Sequence, residues 1–133
     1  MARHLHAISV LVPDYDAGLA FYVGVLGFDL RQDIALPDSK RWVLIAPDTS
    51  SQTSILLAQA RGAVQKAAVG NQFGGRVGLF LHTDSFDDAY ADMRAKGVFF
   101  EETPRDEPYG KVAVWQDPFG NRWDLLQLTP PLK

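Results

Sequence analysis

The chain has 133 residues, 47% of them hydrophobic and 22% charged, with thirteen Lys and Arg against sixteen Asp and Glu for a formal charge of -3. That length and composition suit one ordinary globular domain, and the absence of a basic block argues against nucleic acid as a partner. With no cysteine there is no disulfide, thiolate metal site or cysteine nucleophile, a pattern that fits a cytoplasmic protein.

In chain order, residues 5–12 are short, rich in Ile and Val and stopped by Pro13-Asp14, the pattern of a buried strand. This run is too short to span a membrane and lacks a signal-peptide cleavage pattern, so no membrane partner is expected. Asp14 or Asp16 is a suitable N-cap for a helix that carries Leu19, Tyr22, Val23 and Leu26 at helical spacing and stops at Gly27. Strands are predicted over residues 28–32, 41–46 and 54–59, punctuated by turns at 37–39 and 47–51. The order then repeats. Residues 76–83 form a strand, Asp84-Ser85 opens a second helix that ends at Gly97, and strands follow over 98–101, 111–116 and 122–128. Asp117-Pro118-Phe119-Gly120 joins the last two, with Pro second and Gly fourth in the turn.

The two helices have matching bounds. Asp14 to Gly27 and Asp84 to Gly97 have the same separation, and an apolar residue, Phe28 or Val98, follows each glycine. Such self-similarity predicts two strand-helix-three-strand units. The chain is accordingly read as a single domain of two modules, residues 1–59 and 76–133. Residues 60–75 connect them, with Asn71-Gln72-Phe73 either plain linker or a cover over a pocket mouth. One unit alone is too small to bury a core well, so the halves are expected to pack together.

At this level of detail the chain resembles the vicinal oxygen chelate superfamily, which includes glyoxalase I, bleomycin-resistance proteins and extradiol dioxygenases. The residues that carry the resemblance are Val12-Pro13-Asp14, Ala20-Phe21-Tyr22 running into Val25-Leu26-Gly27-Phe28, and Asp117-Pro118-Phe119-Gly120-Asn121-Arg122-Trp123-Asp124-Leu125. The resemblance implies an α+β fold of two βαβββ modules, with mixed sheets curled around a shared cavity, usually in a homodimer. It also implies a divalent metal on four side chains. The corresponding positions here are Ala7, Leu56, Gly78 and Asp124. Three of these offer no lone pair, and one carboxylate does not hold a transition metal against water. No cofactor is therefore expected. The rival arrangement is a displaced metal site near His6 and Asp124, which needs a register change in the first strand.

Strand alternation supplies the remaining candidates. Arg76, Gly78, Phe80 and His82 share one face, as do Arg122, Asp124 and Leu126, while Leu5, Ala7, Ser9 and Leu11 face inward in the first strand. Leu56 adds apolar wall and Trp115 an aromatic face; Arg76, Arg122 and Asp124 orient the ligand. The stretch 104–110 contributes Arg105, Glu107 and Tyr109 as ligand contacts, or as an acid/base set with Asp124. The bland readings compete throughout: Arg122 and Asp124 pair with each other or with Arg76, the tryptophans are core, and 104–110 is a solvated loop. The leading expectation is a metal-independent binding protein for a small amphipathic or aromatic molecule. The alternatives are a metal-dependent lyase or dioxygenase, and a metal-free lyase or isomerase.

Overall fold

A computed structural model describes residues 1–130. The fold is α+β, with two mixed sheets belonging to two compact units, Met1–Gln72 and a second beginning at Phe73.

In the first unit, β1 (Ala7–Val12) leads into α1 (Tyr15–Leu19), which continues as a π-helical turn over Ala20–Val25. The predicted Asp14 cap is in place, its carboxylate accepting from the Ala17 N–H at 2.7 Å. Strands β2 (Asp29–Ala35), β3 (Arg41–Ala46) and β4 (Ser54–Gln59) complete the sheet in the order β1-β4-β3-β2, with β1 parallel to β4. Gly18 is wedged against Val12 and Leu57, so α1 covers the face that carries these residues. Val10, Val12, Val43, Ile45 and Leu57 form that core. Alternation sends Ala7, Ser9, Leu44 and Leu56 to the other face.

The predicted connection 60–75 is more structured than a linker. It contains α2 (Gly62–Ala68), an exposed seven-residue helix missed in the sequence because it has no apolar stripe. Beyond it the Gln72 side chain accepts from the Leu11 N–H at 2.8 Å and donates to the Ser9 carbonyl at 2.9 Å. It thereby occupies backbone groups on the free edge of β1.

The second unit repeats the plan with β5 (Leu79–His82), α3 (Phe86–Ala95), β6 (Phe99–Phe100), β7 (Arg105–Glu107), β8 (Gly110–Gln116) and β9 (Arg122–Leu128). The sheet order is β5-β9-β8-β6, with β7 also paired to β8. Two expectations change here. β5 is four residues long, and Arg76 falls in the turn before it, where Gly74 and Gly75 both take positive φ. Part of the predicted loop 104–110 is the strand β7, a tight hairpin partner of β8. The charged sequence Arg105-Asp106-Glu107 hides a strand from hydrophobic patterning.

The helix ends explain the internal repeat. After α3, Gly97 (φ +88°) donates to the Arg94 carbonyl, and Val98 donates to that of Met93, a Schellman ending in which glycine supplies the left-handed residue. After α1, Gly27 (φ +76°) plays the same part, and Phe28 reaches back to the Tyr22 carbonyl across the wider π turn. Phe28 and Val98 are both buried, so the apolar residue after each glycine pins its helix to the core.

The β8–β9 turn is built on one carboxylate. Asp117, buried with Asn121, accepts from the Phe119 and Asn121 N–H groups at 2.9 Å each and from the Asn121 side-chain amide at 2.7 Å. Asp117→Ala is expected to cost about 2–4 kcal/mol, because three donors lose a charged acceptor together. Urea unfolding measures this, and a loss below about 1 kcal/mol would contradict the assigned role.

Candidate functional site

Contacts with α3 decide which face of the second sheet that helix covers. The Gln127 side chain accepts from the Phe86 N–H at 2.9 Å, Lys111 pairs with Asp87 at 3.0 Å, and Phe100 meets the Tyr90 ring. The α3 face therefore carries Lys111, Ala113 and Trp115 on β8, and Trp123, Leu125 and Gln127 on β9. Trp115 is fully buried and stacks on Trp123, ring centroids 4.9 Å apart. The expectation that Trp115 offers an aromatic face to a ligand is corrected: it shares the parity of Ala113, and that parity points to the helix.

The opposite face collects Phe80 and His82 from β5, Arg122, Asp124 and Leu126 from β9, Val112 and Val114 from β8, and Arg105 from β7. Phe80 is 62% exposed and sits opposite Asp124 in the register, with Val114 on the other side. His82 is exposed opposite Leu126.

The arginines on this face are already matched. Arg122 grips Glu101 with two hydrogen bonds of 2.8 Å and donates a third to the Gly75 carbonyl at 2.9 Å. Arg105 binds Glu102 at 2.6 Å and Glu107 at 2.9 Å. Glu102 also accepts from the Val114 N–H at 2.9 Å, bridging the interval between β6 and β7. The guanidinium of Arg122 holds the Glu101 carboxyl below its ordinary range. The pairing of Arg122 with Asp124 or Arg76 considered from sequence is replaced by Arg122–Glu101.

Asp124 differs from these groups. It is 7% exposed, and among the described residues its Oδ1 has no hydrogen-bond partner. Burial pushes its carboxyl above the ordinary range. The charge of Glu102 adds to the rise, while Arg105 and Arg122 oppose it. The remaining sequence candidates are dispersed. Arg76 is exposed in its turn, and Tyr109 is exposed at the tip of the β7–β8 hairpin. Glu107 is engaged by Arg105. Leu56 lies half-buried in the first unit.

The positions at which the resemblance implies a metal do not fit one. Ala7 and Leu56 have no donor atom. A Cβ on Gly78 would clash with ring carbons of Phe73, so the space a third ligand would use is filled by an aromatic side chain of the same unit. Asp124 alone retains oxygen donors. His6 is exposed before β1, its ring 6.4 Å from that of His4. Among the described residues, no three His, Asp or Glu side chains are grouped to hold a metal ion.

Sequence reasoning missed Glu101 and Glu102, and offered Phe73 only within a stretch that was either linker or a cover over a pocket mouth, without its contact at Gly78. Parity marks the face of a strand but not which rim charges meet across it, and Phe73 lies in a segment without periodicity. A recess of about 780 Å³ beside the start of α3 does not include Asp124. Its rim is acidic, with Asp87, Asp88 and Asp106, and Lys111 is already tied to Asp87.

Two outcomes follow from this geometry. Gly78→Ala is expected to destabilise the fold by about 1–3 kcal/mol through overpacking against Phe73, and by clearly less in a Phe73→Ala background. A double-mutant cycle by chemical denaturation reads the coupling, and strict additivity would count against the contact. For Asp124, a folded-state pKa above the unfolded value means that the native state binds more protons between the two. Stability therefore falls as pH rises through that window. Asp124→Asn, which cannot ionise, is expected to flatten this dependence, because no buried charge then forms as pH rises. Parallel pH–stability curves for the two proteins would contradict it.

Comparison with known proteins agrees with this architecture. Residues 4–125 match the family model of the Glyoxalase/Bleomycin resistance protein/Dioxygenase superfamily. An uncharacterized protein of Shewanella frigidimarina (strain NCIMB 400) is 45% identical over 130 residues, 97% of this chain and 96% of that protein. The crystal structure of UcmS2 superposes with a TM-score of 0.81 at 26% identity, covering 95% of this chain and 98% of that one. TnmS3, described as an antibiotic binding protein from Streptomyces sp. CB03234, gives a TM-score of 0.77 at 31% identity, with 96% and 98% covered. The chain belongs to the glyoxalase/bleomycin resistance protein/dioxygenase superfamily.

Proposed function

We propose that this chain is a metal-independent small-molecule-binding protein of its superfamily, taking an amphipathic or aromatic ligand on the helix-free face of the second sheet. The observation that carries the reading is the replacement of the family's ligand set: Ala7 and Leu56 stand at two positions, and the ring of Phe73 fills the space above Gly78. The neighbour TnmS3, described as an antibiotic binding protein, supports a ligand-binding rather than a metal-centred role. The proposal includes a homodimer in the cytoplasm, the usual assembly that the family resemblance implies, and a location that fits a chain without cysteine.

Phe80 supplies exposed apolar surface on this face, while Leu126, Val112 and Val114, which share it, are buried. Covering about 300 Å² of apolar surface returns about 7 kcal/mol, against an association cost of at least about 4 kcal/mol. The remainder corresponds to weak, millimolar-range binding. Useful affinity therefore needs a polar anchor as well as apolar area.

After incubation with Ni, Zn, Mn or Fe(II) and dialysis, the protein is expected to retain far less than one equivalent of metal by elemental analysis. A panel of planar aromatic and amphipathic compounds is expected to include members that raise the melting temperature, with about 2.7 kcal/mol of stabilisation at a hundredfold excess over Kd. Chelator should leave that shift unchanged. Near-stoichiometric metal, or a panel without a single stabilising member, would overturn the reading.

A further inference from the structure

We infer that Asp124 is the polar anchor of this site and that the ligand presents a hydrogen-bond donor to it, an N–H or O–H carried on an aromatic or otherwise apolar body. The inference rests on the binding reading above and names the chemistry of the ligand.

The first support is geometric. Asp124 is 7% exposed on the helix-free face, and among the described residues its Oδ1 is without a partner. A buried acceptor left unmet is costly, and native structures keep few of them. Its neighbours in the sheet register are Phe80 on one side and Val114 on the other. Neither side chain donates a hydrogen bond; Oδ1 itself is enclosed, so a ligand's donor reaches the carboxyl through the small exposed part of the residue.

The second support is the charge around it. Arg122 is committed to Glu101 by a two-point grip, and Arg105 to Glu102 and Glu107. An anionic ligand would have to break these pairs to gain a cation. A donor, and above all a cationic one, meets an acceptor that nothing else on this face has claimed. Arg105, Glu102 and Arg122 all lie near enough to act on the charge of Asp124, the glutamate against the two arginines, so the attraction for a positively charged nitrogen comes from the Asp124 carboxylate itself. The exposed ring of Phe80 beside the carboxyl provides a surface for an aromatic body and for a cation alike.

The test uses two probes with the same ring system at neutral pH: 9-aminoacridine, a planar cation with N–H donors, and acridine, which is neutral and accepts only. Wild-type protein is expected to bind 9-aminoacridine about tenfold to a hundredfold more tightly by fluorescence titration, the range for a hydrogen bond to a charged group. In Asp124→Leu, checked for folding by circular dichroism, the two probes should bind alike. Should that variant not fold, Asp124→Asn keeps the shape, removes the charge, and should cut the preference at least about tenfold. Equal binding of both probes by the wild type, or a preference that survives in the variant, overturns the anchor while the binding reading stands. Failure of both probes to bind the wild type overturns the two together.

Discussion

The register of β8 against β9 governs the candidate site. Trp115 pairs with Trp123, and the indoles stack on the α3 side of the sheet. Because side chains alternate, this one pairing sends Arg122, Asp124 and Leu126 to the opposite face together. A slip of one residue would turn two indoles out and drive an arginine and a carboxylate against α3. The Asp117 carboxylate ties down the connecting turn, and so fixes the register that the tryptophans reward. The Asp-Pro-Phe-Gly-Asn motif that carries the resemblance is thus a structural device, and the carboxyl three residues beyond it is the one the proposed site uses.

Electrostatics on that face sorts the charged residues into two groups. Arg105, Arg122 and their three glutamates form closed sets at half-exposed positions, where such pairs contribute little to stability and chiefly fix side-chain direction. Asp124 stands inside that ring of compensated charge, more deeply buried and without an equivalent pair. The face thus holds a buried carboxylate whose Oδ1 is without a partner among the described residues, the group by which the proposed ligand would be oriented.

Much of this fold is legible in the sequence, for reasons that vary by element. β3, β4 and β9 match the expected bounds because each has a dense apolar run with a turn signal at both ends. The helix stops were readable because only glycine takes the left-handed residue cheaply. By contrast β7, with three charged residues, and α2, exposed all round, hold no apolar pattern to detect. Strand parity placed Phe80, His82, Arg122 and Asp124 on one face, yet the same rule set Trp115 with Ala113, away from them. The Arg122–Glu101 and Arg105–Glu102 pairs depend on which side chains meet across β6, β7 and β8, and local spacing does not encode that.

Gly78 links the position at which the resemblance implies a metal ligand to the character of the proposed site. From sequence, a small residue there admits two explanations, relief of crowding along a strand or room for a guest. The structure gives the room an occupant, the Phe73 ring, supplied from the turn that opens the second unit. An imidazole at position 78 would collide with that ring, and removal of the ring would uncover apolar surface with no donor atoms. An aromatic wall thus stands where a ligand atom would project, and Asp124, in the field of Arg105, Arg122 and Glu102, keeps Oδ1 without a hydrogen-bonded donor among the described residues. In the metal-independent reading proposed above, the Phe73 ring takes the space above Gly78 that a metal ligand's side chain would otherwise use.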